Sequence, residues 1–395
     1  MLDLQETLCR LVEIPSPNPS LSADYETYCG ESRLTDYLQA LWKSHGIPHH
    51  RQSVEPGRDN LLARVDGDRL PQDGGGLLLF DAHQDTVSSA GMTIDPWTPI
   101  VRQGRLYGRG ACDVKGGMAA MLGAMVRLAE ERPVGRPTVV MACTVNEESG
   151  FSGVAAVPKL WSEPGGFIPR RPDAAIVAEP TSLQVVVAHK GVLRWRIHTR
   201  GRAAHSSRPE QGDNAIYRMA EVVLVLKRYH AETLAAHGVH PLCGPATLSV
   251  GTIRGGSGVN TIPDQATVEI DRRLRPDEDP MQAYRHAVAH LAERLGADFP
   301  LEHEPPSMEG PPLSDEHNGP LADRLAGEAA ARTGPCDRIG VPYATNAAWL
   351  ALAGVPTVVF GPGSIQQAHT ADEWIALDQL ELAADILYRF VSRYQ

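Results

Sequence analysis

Paired cysteines are missing from this sequence. The six thiols, at Cys9, Cys29, Cys112, Cys143, Cys243 and Cys336, include no C-x-x-C pair, which argues against a thiolate zinc site and against a disulfide framework. Most are expected to be reduced and buried. Basic charge is also scarce: 37 Lys and Arg face 48 Asp and Glu, a formal net charge of −11. No Lys/Arg cluster follows an aromatic-rich face, so nucleic acid and anionic membranes are poor partners, and small molecules or metal cations fit better. Long apolar runs are absent, and Met1–Glu6 lacks a basic region leading into an apolar stretch, so the expected location is cytoplasmic. Internal repeats and low-complexity tracts are absent as well.

What remains is the composition of an ordinary globular enzyme or binding protein, 42% hydrophobic and 22% charged over 395 residues, long enough for two domains. Apolar residues at helical spacing from Asp3 to Val12 end at the proline-rich Ile14–Pro19. Apolar runs then alternate with helical patterns: Leu77–Ala82, Met118–Glu130, Thr138–Val145, Ala174–Ala178. That alternation predicts an α/β layer. Near residue 190 the pattern changes, with Leu193, Trp195 and Ile197 alternating with Arg194, Arg196 and His198. A βαββαβ order follows, with Asp279 as N-cap and Pro280 as first residue of its second helix, which predicts an inserted α+β two-layer sandwich of ferredoxin-like type. The α/β layer resumes after Glu304–Pro312 with the strand Thr357–Phe360 and a C-terminal helix over 378–394.

Five groups of metal-capable side chains fall just past predicted strands or in strand-to-helix turns: His83 with Asp85, Asp113, Glu147 with Glu148, Glu179, and His369. In open α/β sheets, sites form at the carboxyl ends of strands. Imidazole and carboxylate donors suit Zn²⁺ and related divalent ions, and an Asp can bridge two of them. The donors suffice for two ions, with one member of Glu147–Glu148 left to accept a proton from activated water. Gly116 and Gly117 open the helix after Asp113 and allow close approach. The Gly108–Gly117 stretch lacks G-K-[ST] and is no nucleotide fingerprint.

The motifs Ala82-His83-Gln84-Asp85, Gly108–Gly117, Asn146-Glu147-Glu148-Ser149-Gly150, Ala178-Glu179-Pro180-Thr181 and Gln367-Ala368-His369-Thr370 resemble, in order and spacing, a two-zinc family. Its members include acetylornithine deacetylase, succinyl-diaminopimelate desuccinylase, aminoacylase and glutamate carboxypeptidase. The resemblance implies an aminopeptidase-like catalytic domain with a mostly parallel sheet over 1–189 and 305–395, and a lid and dimerisation domain over 190–304. It makes Asp113 the bridging ligand, His83 and Glu179 the other ligands of one metal, Glu148 and His369 those of the second, and Glu147 the general base. Asp85 falls where the family has a carboxylate orienting the metal-bound histidine, and a cis peptide is implied after Asp113. Asp81 has no role beyond bonding neighbouring backbone.

In the inserted domain, Gly201–Pro209 resembles the family's lid motif, so His205 would polarise the scissile carbonyl, in trans if the protein dimerises. Asn260 and Arg273 match substrate-holding positions, for the oxyanion and the substrate carboxylate, and the backbone of Gly363 and Ser364 would line the site. Three positions depart from the pattern: Asn146 for aspartate, Ala82 for glycine, and Tyr343–Ala347 for G-T-D. None removes a ligand or the base. The implied enzyme is a zinc-dependent amidohydrolase, with Co²⁺ or Mn²⁺ as alternatives, acting as a homodimer on a small N-acyl amino acid. Similarity to the acetylornithine deacetylase branch points to N2-acetylornithine and arginine biosynthesis. Succinyl-diaminopimelate, with Arg208 or Arg254 for the extra carboxylate, comes next, then carboxypeptidase or dipeptidase activity. The non-enzymatic alternative is a metal-binding homologue that has lost catalysis.

Overall fold

The computed structural model describes residues 1–22, 30–163 and 166–394. Contacts divide them into two compact units, residues 1–187, 315–339 and 345–395 in one and 188–314 and 340–344 in the other. The expected boundary at 304/305 therefore moves. Met308–Gly310 pairs with Gly191–Arg200, and Lys190 N–H donates to the Val341 carbonyl at 3.1 Å, so both stretches belong with the second unit.

In the first unit an eight-stranded sheet runs in the order His49–Glu55, Arg58–Val65, Thr138–Thr144, Leu77–His83, Ala174–Val177, Thr357–Val359, Val185–His189, Arg338–Val341. Its four central strands, from Thr138–Thr144 to Thr357–Val359, are mutually parallel. Leu77–His83 and Thr138–Thr144 are buried at every position, as near-continuous apolar runs in a covered sheet should be. The helix Gly116–Glu131 is apolar nearly all round because it packs against both Leu4–Glu13 and Leu377–Ser392. Its two leading glycines are required: a Cβ on Gly116 would lie 2.4 Å from Ile375, and one on Gly117 2.9 Å from the Cβ of Ala178. Glu179 follows directly.

The second unit holds an antiparallel sheet ordered Thr247–Gly255, Gln265–Leu274, Gly191–Arg200, with Leu301–His303 and Met308–Gly310 sharing the far side of the last. Ala215–Arg228 and Pro280–Leu295 contribute Met219, Val222, Leu226, Ala287 and Leu291 to a core with Trp195, Ile197, Val268 and Ile270. Asp279 caps its helix as expected, accepting from Gln282 N–H at 2.7 Å. Among the described residues Cys9, Cys112, Cys143, Cys243 and Cys336 are free thiols; Cys29 lies outside them. Three of the five are buried, and among the described residues no helix is long and apolar enough to cross a membrane.

One buried histidine, at the end of the sheet strand Val185–His189, makes stability pH-dependent. His189 is fully buried, its Nδ1–H donates to the Lys190 carbonyl at 3.0 Å, and its Nε2 finds no hydrogen-bond partner among the described residues. Burial lowers its pKa from 6.5 to about 4. Between those values the unfolded chain binds a proton that the folded chain does not, so stability is full above 6.5 and falls as pH falls, by about 3 kcal/mol in all. Urea unfolding at pH 7 and pH 4.5 should show a larger loss for the wild type than for His189→Gln; equal losses would remove His189 as the cause.

Candidate active site

The parallel strands deliver their carboxyl ends to one edge of the sheet, and the chemistry gathers there. His83 ends its strand, Glu179 lies two residues past Val177, and Glu147 and Glu148 follow the strand that ends at Thr144. Asp113 comes from the turn before helix Gly116–Glu131, where the Asp113–Val114 peptide is cis as the resemblance implied. His369 follows the strand Thr357–Val359 by ten residues, on a turn with φ of 59°.

Two groups of three result, each with ligand atoms within 4.8 Å of one another: His83, Asp113 and Glu179, and Asp113, Glu148 and His369. Asp113 is common to both, and its two oxygens are divided between them. Oδ1 lies 3.1 Å from His83 Nε2, and Oδ2 lies 3.1 Å from His369 Nε2. Glu148 Oε1 is 3.3 Å from the same His369 nitrogen. Sharing one carboxylate between two donor sets is what a pair of bridged cations requires.

Asp85 does something other than expected. His83 Nδ1–H donates to the backbone carbonyl of Asp85 at 2.8 Å, while the Asp85 carboxylate stands 3.7 Å away. That carboxylate is already engaged: Oδ1 accepts from Glu147 N–H and Oδ2 from Glu148 N–H, each at 3.0 Å, and Oδ2 also accepts from Asn18 Nδ2 at 2.7 Å. The carbonyl thus fixes the histidine tautomer, and the side chain fixes the turn carrying the two glutamates. Asn18 was missed in the sequence. Its segment pairs alongside Thr86, Asn18 N–H donating to Thr86 O at 2.8 Å, and nothing in Pro17-Asn18-Pro19 advertises that.

Two departures from the family pattern acquire physical reasons. Asn146 Nδ2 donates to Glu55 Oε1 at 3.2 Å and Ser152 Oγ at 2.8 Å, while its Oδ1 accepts from Asn18 Nδ2 at 3.0 Å. An aspartate there would set its charge against Glu55. Asn346 Nδ2 donates to Asp81 Oδ1 at 2.8 Å, and Thr144 Oγ1 donates to Asp81 Oδ2 at 3.1 Å. Asp81 therefore bonds side chains beneath the site rather than neighbouring backbone, and burial pushes its carboxyl up to about 6.

Electrostatically the cluster is short of positive charge. Burial pushes the Glu147, Glu148 and Glu179 carboxyls upward, and Asp113 adds repulsion at each. Burial opposes a proton on His83, yet the bond to Asp113 and the surrounding carboxylates carry it well above its ordinary value. His369, bonded to Asp113 and Glu148, rises to about 11. Five carboxylates, Asp85, Asp113, Glu147, Glu148 and Glu179, thus stand around two imidazoles. An all-oxygen-and-imidazole donor set with unbalanced negative charge fits divalent ions.

Gly363 packs onto this edge, since a Cβ there would lie 2.6 Å from Cys112 Sγ, and the Ser364 carbonyl accepts from the same thiol at 3.3 Å. In the second unit His205 and Asn260 come together: Ala204–His205 pairs with Thr261–Ile262, and Ser206 N–H donates to the Asn260 carbonyl at 3.0 Å. His205 Nδ1 is engaged by Ser207, 2.7 Å from its Oγ and 3.2 Å from its backbone N. Arg273 is engaged by Asp271, Nε to Oδ1 at 2.7 Å and Nη2 to Oδ2 at 3.3 Å, so its fork is occupied within its own strand.

A family model described as peptidase family M20/M25/M40 matches residues 79–393. The acetylornithine deacetylase of Proteus mirabilis (strain HI4320) is 32% identical over 391 residues, covering 95% of this chain and 94% of its own. Among solved structures, an M20-family metallo-carboxypeptidase from Sulfolobus solfataricus aligns with a TM-score of 0.77 at 18% identity, over 100% of this chain and 99% of that one. A dinuclear metal-binding M20 peptidase from Bacillus subtilis aligns with a TM-score of 0.68 at 16% identity, over 98% and 96% respectively. Identities this low establish the shared fold, while the model match and the deacetylase relative establish kinship. The chain belongs to peptidase family M20/M25/M40, hydrolases that act on amide bonds.

Proposed function

We propose that the chain is a two-metal amidohydrolase that removes the acyl group from an N-acyl amino acid, with N2-acetylornithine as its substrate and ornithine and acetate as products. The observation that carries the reaction is the division of Asp113 between two donor groups with Glu147 buried beside them. The substrate rests on the deacetylase relative, similar over nearly its whole length.

His83, Asp113 and Glu179 would hold one divalent ion and Asp113, Glu148 and His369 the other. When bound, such ions supply Lewis-acid polarisation of an amide carbonyl and lower the pKa of water. Glu147 accepts the proton from the attacking water and returns it to the leaving amine. Burial raises its carboxyl above the ordinary glutamate range, the direction that makes it a stronger proton acceptor. Asp85 holds Glu147 and Glu148 by their backbone N–H groups, so the base keeps its place through both transfers. By the family resemblance His205 would polarise the scissile carbonyl and steady the developing oxyanion, in trans if the protein dimerises. Asn260 is a second donor, and Arg273 would have to release Asp271 to bind a substrate carboxylate.

A homodimer through the second unit is part of the proposal. Thr247–Gly255 lies at the free edge of its sheet, with Ile253 and Val259 exposed, and Ala215–Arg228 exposes Tyr217 and Leu224. Apolar side chains beside an unpaired edge favour pairing with another chain.

The metal-loaded enzyme should be assayed on N2-acetylornithine, succinyl-diaminopimelate, other N-acyl amino acids and dipeptides. The expected kcat/KM is highest for N2-acetylornithine, by tenfold or more, about 1.4 kcal/mol of transition-state discrimination. A dipeptide or the succinyl substrate leading the series would reassign the specificity.

A further inference from the structure

Glu373, four residues past His369, is fully buried, and its carboxylate is saturated by four donors. Oε1 accepts from the N–H groups of Cys112 at 2.8 Å and Asp113 at 3.0 Å. Oε2 accepts from Gly110 N–H at 3.0 Å and from the Arg109 guanidinium at 2.7 Å. Two further bonds reinforce the link, again with the donors on the Asp113 side. Gly108 N–H donates to the Glu373 carbonyl at 3.0 Å, and the other Arg109 terminus reaches the Thr370 carbonyl at 3.5 Å. Four bonds to one charged group, on an ion pair almost wholly out of water, make a rigid tie. It joins the turn that presents Asp113 to the turn that presents His369.

Both donor groups contain Asp113 and so both feel this tie, but their other ligands depend on it unequally. His83 ends a buried strand and Glu179 lies just past another, so both are fixed by the sheet whatever happens at Glu373. His369 stands on a turn outside any strand, and its side chain is half exposed. We infer that Glu373, backed by Arg109, is a positioning residue that sets the distance between Asp113 and His369 and thereby selects for occupation of the second metal group. This rests on the two-metal reading above.

Glu373→Gln keeps size and shape but replaces one accepting oxygen by an NH₂ that faces backbone N–H donors. Loss of such outer partners weakens metal binding by about 10–100-fold. The experiment is calorimetric titration of metal-stripped wild type, Glu373→Gln and Arg109→Lys with Zn²⁺ under chelator buffering. The wild type should take up two ions. Glu373→Gln should retain the first with little change, which also shows that it is folded, and bind the second about 10–100-fold more weakly. Arg109→Lys, which keeps the charge but loses the fork, should shift the second ion in the same direction by less, and it carries the test if the glutamine variant does not fold. Unchanged binding of both ions, or equal weakening of both, would overturn the inference. A wild type that binds fewer than two ions would instead overturn the two-metal reading, and this one with it.

Discussion

Glu147→Gln should lower kcat by about 10²–10⁴-fold while metal content and KM stay near wild-type values. The expectation follows from where Glu147 sits. It is in neither ligand group, so the amide leaves both donor sets intact. Its backbone N–H, which bonds Asp85 Oδ1 at 3.0 Å, is untouched by the substitution, so the turn that also carries Glu148 is preserved. What is lost is the proton acceptor. Glutamine cannot take a proton from water or return one to the amine, and because the group acts only along the reaction path, kcat falls and substrate binding does not. Steady-state kinetics together with elemental analysis of bound metal check this. Turnover within about threefold of wild type would remove Glu147 as the base, since a positioned general base contributes far more than that. Loss of metal would recast it as a ligand.

The parts of this site that could be read from the sequence are those where the chemistry and the local pattern coincide. His83, Asp113, Glu147, Glu148, Glu179 and His369 each follow an apolar run or sit in a turn before a helix, so both residue type and placement pointed to them. The βαββαβ insertion was legible because strand alternation and helical spacing are local signals. Its end was not, because Met308–Gly310 is too short and too proline-flanked to announce a strand, and only pairing with Gly191–Arg200 makes it one. The same limit hid Glu373, Asn18 and the partners of Asp81. Glu373 follows His369 at a spacing of four with no local pattern to mark it, and its partners lie some 260 residues away along the chain. The role of Asp85 was misjudged for a related reason. A carboxylate two residues past a histidine can serve it through either side chain or carbonyl, and only the N–H groups of Glu147 and Glu148, already bonded to the side chain, decide which.

Asp113→Ala should have the broadest effect of any single substitution, because Asp113 alone belongs to both donor groups. Its oxygens approach His83 and His369 at 3.1 Å each, and alanine would leave two facing donor pairs, His83 with Glu179 and His369 with Glu148, with nothing between them. Two ligands rarely hold a divalent ion against water and chelators. Both ions should be lost and turnover should fall by about 10³-fold or more, as expected when several kcal/mol of electrostatic stabilisation are withdrawn. Asp85, bonded to the 147–148 turn and not to Asp113, should keep the surrounding fold in place, so the variant should melt as a folded protein.

The most direct measurement is a titration of metal-stripped wild type with Zn²⁺, following hydrolysis of N2-acetylornithine and bound metal together, with Asp113→Ala alongside. The expected result is no turnover without metal, activity that rises with occupancy and levels off at two ions per chain, reversal by chelator, and neither uptake nor activity in Asp113→Ala. Full turnover by the stripped enzyme, or no hydrolysis of any amide substrate with two ions bound, would contradict the assignment.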